Sequence, residues 1–132
     1  MTWKNVPKDI SPYFGFVYMI TNLKTNRKYI GKKFFKTPIV RPPLKGKKNQ
    51  RHDWKESDWK DYFGSSKQLL EDVEKFGADN FKQEIIQCYK TKWECAYYEV
   101  FWQVEYKVLF SDNFYNGIIN CRLPKAPKDL KL

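Results

Sequence analysis

Two short apolar runs on either side of a polar stretch constrain the fold of this chain most. The runs are centred on Tyr18 and Tyr29, and the polar residues between them suit a turn near residues 24–25. This pattern predicts a β-hairpin in which Tyr18 faces Gly31 and Ile20 faces Tyr29. The two tyrosines are then diagonal neighbours on one sheet face, about 7–8 Å apart at the backbone.

The net charge of +10 is confined to one part of the chain. Residues 24–60 contain 13 Lys or Arg and three Asp or Glu, whereas the remaining residues contain 12 Lys or Arg and 12 Asp or Glu. A charge that served solubility alone would be spread over the surface, but a concentrated charge favours a polyanion as partner. The distribution predicts binding to nucleic acid.

Other features exclude several classes of protein. No apolar run reaches the roughly 18 residues of a transmembrane helix, and residues 1–5 lack the apolar core of a signal peptide. Cys88, Cys95 and Cys121 are an odd number without paired spacing, which argues for a reducing compartment. We therefore expect a cytoplasmic protein without a membrane partner.

Prolines and positive charge set residues 36–56 apart as a basic insertion. Pro38, Pro42 and Pro43 lie in this segment, followed by the run Lys45-Gly46-Lys47-Lys48. Prolines remove backbone donors and dense charge opposes collapse, so we expect an irregular loop that is mobile until a ligand binds. The expected nucleic-acid contacts come from this insertion and from lysines near it: Lys28, Arg41, Lys45, Lys47, Lys48, Lys55 and Lys60.

Capping signals and periodicity predict two helices around a third strand. Ser65 with Gln68 resembles a capping box, Gly77 suits the end of the helix that follows, and Thr91 with Glu94 opens a longer helix. The expected elements are strands over residues 15–21 and 27–32, a helical turn capped by Ser57, a helix from Ser65 to Phe76, a strand from Phe81 to Tyr89, a helix from Thr91 to about Leu109, and a short strand or extended segment over residues 113–120.

Helical spacing then assigns the faces of the two helices. We expect the apolar stripe of each helix to lie in the core, and a separate stripe of the second helix to carry Glu99, Gln103 and Tyr106. The expected core residues are Leu69, Leu70, Val73 and Phe76 in the first helix, and Trp93, Tyr97, Val100, Phe101, Val104 and Val108 in the second.

Glu99 is the one acid in a stretch of the second helix that is otherwise aromatic or apolar. Because a buried, unpaired carboxylate is costly, Glu99 either lies on the solvent side or has a lysine or a metal ion as partner. A single carboxylate can hold one divalent ion that keeps most of its water ligands. Together with two phenols and nearby cations, such an ion would suit phosphate chemistry, whereas the alternative for the tyrosines is simply to cover a sheet face.

The residues around the two tyrosines resemble the GIY-YIG nuclease superfamily. The run from Phe16 to Asn22 corresponds to that family's Gly-Ile-Tyr-x-Ile-x-Asn, with Phe and Val in place of Gly and Ile, and Tyr29-Ile30-Gly31 matches its second motif. The resemblance spans residues 14–120, and the Glu-Ser-Asp-Trp and Phe-Gly-Ser-Ser elements look most like phage Seg-type homing endonucleases. Further matching elements are Gly64-Ser65-Ser66, Glu99-x-x-Trp102 and Tyr115-Asn116.

This resemblance implies a small α/β (α+β) fold with a mainly antiparallel three-stranded sheet flanked by helices. It also implies hydrolysis of DNA phosphodiester bonds with Mg²⁺ or Mn²⁺ on Glu99, and catalytic roles for both tyrosines. We prefer Tyr18 as the base with Tyr29 as its partner, although the sequence leaves open which of them takes the proton. Since a free phenol has a pKa of about 10, we expect the neighbouring lysines to favour its ionised form.

Several basic residues compete for the phosphate. The family usually places an arginine after the second tyrosine, and Arg51 fits that position better than Arg41 when the count runs back from the Ser-Ser element. Lys32 or Lys33 is the alternative, as in family members that use a lysine near this motif. An arginine would bring a bidentate fork to the phosphate that a lysine cannot copy.

Two further residues have both a functional and an ordinary interpretation. His52 could polarise the attacking water or the leaving group, or it could only contact a phosphate. Asn116 resembles the late asparagine that helps to fix the site in the family, although Asn before Gly is also common in turns.

We expect one domain over residues 1–132, with its core at 14–120, the basic insertion at 36–56 and a poorly ordered tail at 122–132. Homing endonucleases usually carry a separate DNA-recognition region after the nuclease domain. Either that region lies outside this sequence, or the basic insertion takes its role, or the specificity is low. A homodimer on DNA would cut both strands with one site in each subunit. The alternatives are an inactive nucleic-acid-binding module of the same fold and a phage factor that binds another protein.

Overall fold

The predicted hairpin is the centre of the fold. The computed structural model describes residues 3–130, in which β1 (Gly15–Asn22) pairs antiparallel with β2 (Lys28–Phe34). Tyr18 lies opposite Gly31. Ile20 lies opposite Tyr29, which confirms the predicted register.

The basic insertion folds as a second hairpin, and the expectation of an irregular loop was wrong for most of its length. β3 (Lys36–Arg41) and β4 (Arg51–Glu56) pair antiparallel and form a separate two-stranded sheet. Both strands are edges, and an edge strand tolerates Pro38 because one of its sides makes no ladder hydrogen bonds. Residues 42–50 connect the two strands without helix or strand structure.

Two helices and a fifth strand complete the fold. α1 (Lys67–Phe76) precedes β5 (Phe81–Tyr89), and α2 (Lys92–Glu105) follows it. β5 pairs antiparallel with β1, so the main sheet has the order β2-β1-β5, and every residue of the central strand β1 is buried. The expected three-stranded antiparallel sheet flanked by helices is confirmed.

The helices cover opposite faces of the main sheet. Side chains alternate between the faces along β1. Tyr18 and Ile20 belong to the apolar cluster that contains Leu69 of α1, whereas Met19 belongs to the cluster that contains Cys95 of α2. The two tyrosines therefore lie on the α1 side of the sheet.

The predicted helix caps are largely present. Ser66, not Ser65, caps α1 by accepting a hydrogen bond from the backbone N–H of the third helical residue at 3.3 Å. Gly77 ends that helix with a φ of 90°, a conformation that suits glycine. The predicted capping box of α2 forms, since the Thr91 hydroxyl accepts from the Glu94 N–H at 3.1 Å and donates to the Glu94 carboxylate at 2.9 Å.

Ser57 does not cap the helical turn that follows the second hairpin. Its hydroxyl donates to the Phe34 carbonyl at 2.5 Å, and Asp58 precedes the short 3₁₀ turn Trp59–Asp61 instead. Ser57 thus ties the end of the insertion back to the end of β2.

The second helix presents a different face to the sheet from the one that its apolar pattern predicts. Cys95 and Gln103 are buried, whereas Tyr97 and Phe101 are exposed, the latter at 42%. The stripe of α2 that faces the sheet carries polar side chains that contact the edge strand β2. Apolar side chains of the helix therefore lie on its outer, exposed stripe. Leu70 of α1 is also exposed, contrary to its predicted place in the core.

The second helix is shorter than predicted. α2 ends at Glu105 rather than near Leu109, because Lys107 adopts a left-handed φ of 54°. Residues 113–120, predicted as a short strand or extended segment, contain no helix, and Phe114 makes a parallel bridge to Lys28. Within residues 3–130, no helix combines the length and the apolar character that crossing a membrane requires.

Candidate active site

The backbone of the edge strand β2 is held at Ile30 by two side-chain amides. The Asn116 side chain accepts from the Ile30 N–H at 3.1 Å and donates to the Ile30 carbonyl at 2.8 Å. Gln103 of α2 donates to the same carbonyl at 3.0 Å. Since the outer side of β2 has no neighbouring strand, these amides take the place of a ladder and fix the strand between Tyr29 and Gly31.

Two tyrosines and a third phenol meet on the α1 side of this strand. The ring centroids of Tyr18 and Tyr29 are 6.2 Å apart, and the Tyr62 ring lies 6.0 Å from that of Tyr18. Tyr18 is only 1% exposed, whereas Tyr29 is half-buried and its hydroxyl lies 3.2 Å from the Ser65 hydroxyl. This contact places the Gly64-Ser65-Ser66 element, at the start of α1, beside Tyr29.

Gly31 leaves room for the two tyrosines on the α1 side of the sheet. A Cβ atom at this position would lie 2.5 Å from the Tyr18 hydroxyl and 2.9 Å from the Tyr29 ring. Gly64, with a φ of 92°, closes over the same hydroxyl, since its Cβ would lie 3.2 Å away. A side chain at either glycine would therefore crowd the Tyr18 hydroxyl.

Burial keeps both phenols protonated at neutral pH. Desolvation raises the pKa of Tyr18 well above 10.0, and the nearby Tyr29, Tyr62 and Glu99 raise it further. Desolvation also raises the pKa of Tyr29, against the lowering effects of the Ser65 hydrogen bond and Lys32. Lys32 thus acts on Tyr29 in the expected direction, but burial and the Glu99 carboxylate outweigh it, so the pKa of each phenol lies above its ordinary value.

Glu99 reaches the edge of β2 from the opposite side of the sheet. Its carboxylate lies 3.2 Å from the Lys32 ammonium, and the two side chains are 16% and 34% exposed, respectively. The lysine thus resolves the cost of a largely buried carboxylate. Glu99 also raises the pKa of both Tyr18 and Tyr29, so its charge acts on both phenols.

Lys33 lies on the α1 side of the sheet, as the tyrosines do. Its ammonium lies 2.6 Å from the Asp58 carboxylate and 4.1 Å from the centroid of the Tyr62 ring. The hydrogen bond from Lys33 lowers the pKa of Asp58. A cleft of about 270 Å³ joins these groups, and its lining includes Lys32, Lys33, Thr37, Tyr62, Ser65 and Glu99.

Three of the predicted site residues lie elsewhere. Arg41 and Arg51 face each other at the far end of the β3–β4 hairpin, and His52 is next to them on β4. Five residue steps along a strand separate Arg41 from Lys36, a distance of about 17 Å. The structure does not bring Arg41, Arg51 or His52 to the tyrosines, because the insertion folds as a ribbon that carries them away from the cleft.

The other predicted nucleic-acid contacts surround the cleft and the second hairpin. Lys28 begins β2, and Lys55 lies near the base of β4. Lys60 lies in the following turn, 3.8 Å from the Glu56 carboxylate. The remaining predicted contacts are in the exposed loop between the two strands: Lys45, Lys47 and Lys48.

Arg27 is a residue near the site that the sequence analysis missed. Its guanidinium lies 4.2 Å from the centroid of the Tyr115 ring and donates to Gln68 of α1 at 3.3 Å. Its Nε atom is buried without a hydrogen-bond partner. The alternation of side chains along an extended segment places Arg27 on the same side as Tyr29, and that signal could have identified it.

A comparison with protein families agrees with this fold and site. The family described as "Putative endonuclease segE, GIY-YIG domain" matches residues 2–119. The chain therefore belongs to the GIY-YIG endonucleases of the Seg type, which cleave phosphodiester bonds, and its substrate is a nucleic acid. No curated protein and no solved structure gives a significant match.

GIY-YIG nucleases generally depend on a divalent metal ion. Among the described residues there is no cluster of three or more His, Cys, Asp or Glu side chains that could enclose such an ion. Glu99 instead offers one carboxylate on the wall of an open cleft. This fits a hard ion such as Mg²⁺, which is often held by one or two carboxylates and keeps several waters.

Replacing Gly31 with alanine tests the shape of the site. Gly31→Ala should destabilise the protein by about 1–3 kcal/mol and displace both tyrosines, because the new methyl group overlaps them. Urea denaturation measures the loss of stability. Gly117→Ala is the matched control, since a Cβ there meets nothing within 4 Å, and an equal effect of the two changes would contradict this account.

The raised pKa of Tyr18 predicts a loss of stability in alkali. Below pH 10 this phenol is protonated in both the folded and the unfolded chain, but above it the unfolded chain releases the proton first. The free energy of unfolding should therefore fall as the pH rises from 10 towards the pKa of the folded state. Tyr18→Phe should reduce this fall in urea denaturation and the exposed Tyr97→Phe should not, whereas equal falls would refute the assignment.

Proposed function

We propose that this chain is a metal-dependent DNA endonuclease in which Tyr18, Tyr29 and Glu99 act on one phosphodiester. One observation carries the proposal: two phenols meet on one side of the edge strand β2, and a carboxylate from the helix on the other side lines the adjoining cleft, near enough for its charge to raise the pKa of both. An ordinary pair of tyrosines covering a sheet would not need Glu99 near them. The concentration of positive charge beside this point favours a polyanionic substrate.

Glu99 would hold Mg²⁺ or Mn²⁺. A bound ion of this kind stabilises the charge that develops on the phosphate and lowers the pKa of a bound water. The Lys32 ammonium lies 3.2 Å from this carboxylate, so an ion held by Glu99 would share or replace that contact. Lys32 would then supply a second cation for the substrate.

The two tyrosines would handle the attacking water. We assign proton acceptance to the Tyr18 hydroxyl oxygen and orientation of the water to Tyr29, whose hydroxyl is itself oriented by Ser65. Because burial raises the pKa of Tyr18, its ionised form is rare at neutral pH but strongly basic. The rate should therefore depend on how much of this form the pH provides.

Lys33 is our choice for the residue that grips the phosphate. It lies on the same side of the sheet as the tyrosines, lines the cleft and is held by Asp58 and the Tyr62 ring. Lys32 forms an ion pair with Glu99, and Arg51 lies at the far end of the second hairpin. Asn116 acts indirectly, by fixing the backbone at Ile30.

The natural substrate would be double-stranded DNA, with a Seg-type homing role in a phage-infected cell and a cytoplasmic location. One domain over residues 1–132 would carry one site. Cutting both strands in one encounter would therefore require a second copy of the chain on the DNA.

Plasmid cleavage tests the proposed activity. Wild-type protein should nick supercoiled plasmid with Mg²⁺ and not with EDTA, and Glu99→Gln should lower the rate by at least about 100-fold. Glu105→Gln, which removes an exposed carboxylate at the end of the same helix, should leave the rate unchanged. Wild-type rates from Glu99→Gln would sink the metal assignment, and an inert wild-type protein that still binds DNA would be an inactive module.

The pH dependence of cleavage tests the role of Tyr18. At saturating Mg²⁺ the rate should rise about tenfold for each pH unit up to pH 9, because the ionised fraction of a phenol with a raised pKa grows by that factor. Tyr18→Phe should lower the rate and flatten this rise. If Tyr29→Phe flattens it and Tyr18→Phe does not, the two roles are exchanged.

A further inference from the structure

The β3–β4 hairpin is an arm that stands outside the main sheet. All six residues of β4 are exposed, and the two strands pair only with each other. The arm is attached at its base, where the Ser57 N–H donates to the Phe35 carbonyl at 2.8 Å and the Trp54 ring contacts the Phe14 ring with centroids 5.4 Å apart. An isolated hairpin of this size is marginally stable in water, so contact with a partner would reinforce it.

One face of this arm continues from the cleft. Thr37 lines the cleft together with Lys33 and Glu99, and so does the neighbouring Lys36 at the base of the arm. Alternation along the strands and the observed register define the residues that share the face of Thr37. This cleft-side face consists of Thr37, Ile39, Arg41, Arg51, Asp53 and Lys55.

The cleft-side face carries an unfavourable pair of like charges. Arg41 and Arg51 lie directly opposite each other, an arrangement that destabilises a hairpin. Asp53 partly relieves it, since its carboxylate lies 3.2 Å from Arg41 Nε, while Arg51 Nε donates to the Pro42 carbonyl at 3.2 Å. Residues 36–56 hold seven Lys or Arg against two Asp or Glu, so a polyanion is the partner that would stabilise this arm.

We propose that the hairpin enters the major groove of duplex DNA with its cleft-side face and places Arg41 and Arg51 against base edges. The inference rests on the proposed nuclease function and identifies the form of its substrate. The major groove of B-DNA, about 12 Å wide, admits a two-stranded ribbon, whereas that of an RNA helix is too narrow. A single strand would favour stacking on aromatic side chains, and the cleft-side face has none.

The geometry also relates the contacted bases to the cut. Arg41 lies about 17 Å along the strand from Lys36, which lines the cleft. At 3.4 Å for each base pair this distance spans at most about five base pairs. The bases contacted by the hairpin would therefore lie within about half a helical turn of the phosphate in the cleft.

A binding experiment with the double variant Arg41→Ala/Arg51→Ala tests this inference. The probes are a short random-sequence DNA duplex, one of its strands, and an RNA duplex, all in EDTA. Wild-type protein should bind the DNA duplex most tightly, and the double variant should lose about tenfold or more of that affinity. The matched control, Lys90→Ala/Lys92→Ala, removes the same charge from exposed positions outside the arm and should lose less than about threefold.

Methylation protection then identifies the groove. Guanine N7 lies in the major groove and adenine N3 in the minor groove, so wild-type protein should protect guanine N7 and the double variant should not. The proposal would be overturned if the two double variants lost the same amount of DNA affinity, or if the protein protected adenine N3 instead. Tighter binding to the RNA duplex or to the single strand would overturn it as well. Since binding is measured without cleavage, failure of this inference and failure of the nuclease proposal give different results.

Discussion

The arrangement of the site depends on two side-chain amides that form hydrogen bonds with the backbone of the edge strand β2. Ile30 presents its backbone N–H and carbonyl to a side that has no neighbouring strand, and Asn116 and Gln103 satisfy both groups. Each such hydrogen bond contributes about 1 kcal/mol, but the larger effect is on register. A slip of one residue would move Tyr29 to the α2 side of the sheet and away from Tyr18. Residues distant in the sequence thus decide which face the second tyrosine occupies.

A β-sheet normally separates the side chains of its two faces, but at the edge strand β2 groups from both faces lie close enough to interact. The tyrosines lie on one side and Glu99 comes from a helix on the other, yet the carboxylate still raises the pKa of both phenols. The burial of Tyr18 and the negative charge of Glu99 both oppose ionisation of this phenol. A divalent ion held by Glu99 would offset that negative charge and so would favour proton transfer to Tyr18.

The sequence predicted the parts of this fold that local chemistry controls. The register of the first hairpin, the strand β5 and the capping box at Thr91 follow from alternation, turn chemistry and hydrogen bonding between near neighbours. Features that depend on tertiary packing were not predictable in this way. The apolar pattern of α2 gave the wrong face, because the stripe toward the sheet must supply Glu99 and Gln103 to the edge of β2. The prolines of the insertion suggested a loop, since nothing local indicates that two edge strands will tolerate them. The missed Arg27 could have been found, since alternation alone relates it to Tyr29.

The position of the second hairpin explains why the cation nearest the tyrosines is a lysine of β2. The insertion begins two residues after the end of β2, and it carries Arg41 and Arg51 away along its own strands. The cleft keeps Lys32 and Lys33, whose backbone positions are set by the main sheet and whose ammonium groups are held by Glu99 and Asp58. Lys32 and Lys33 belong to the sheet that carries the tyrosines, whereas Arg41 and Arg51 belong to a separate two-stranded sheet. With the proposed roles, the main sheet would hold the reacting phosphate and the arm would contact the duplex beside it.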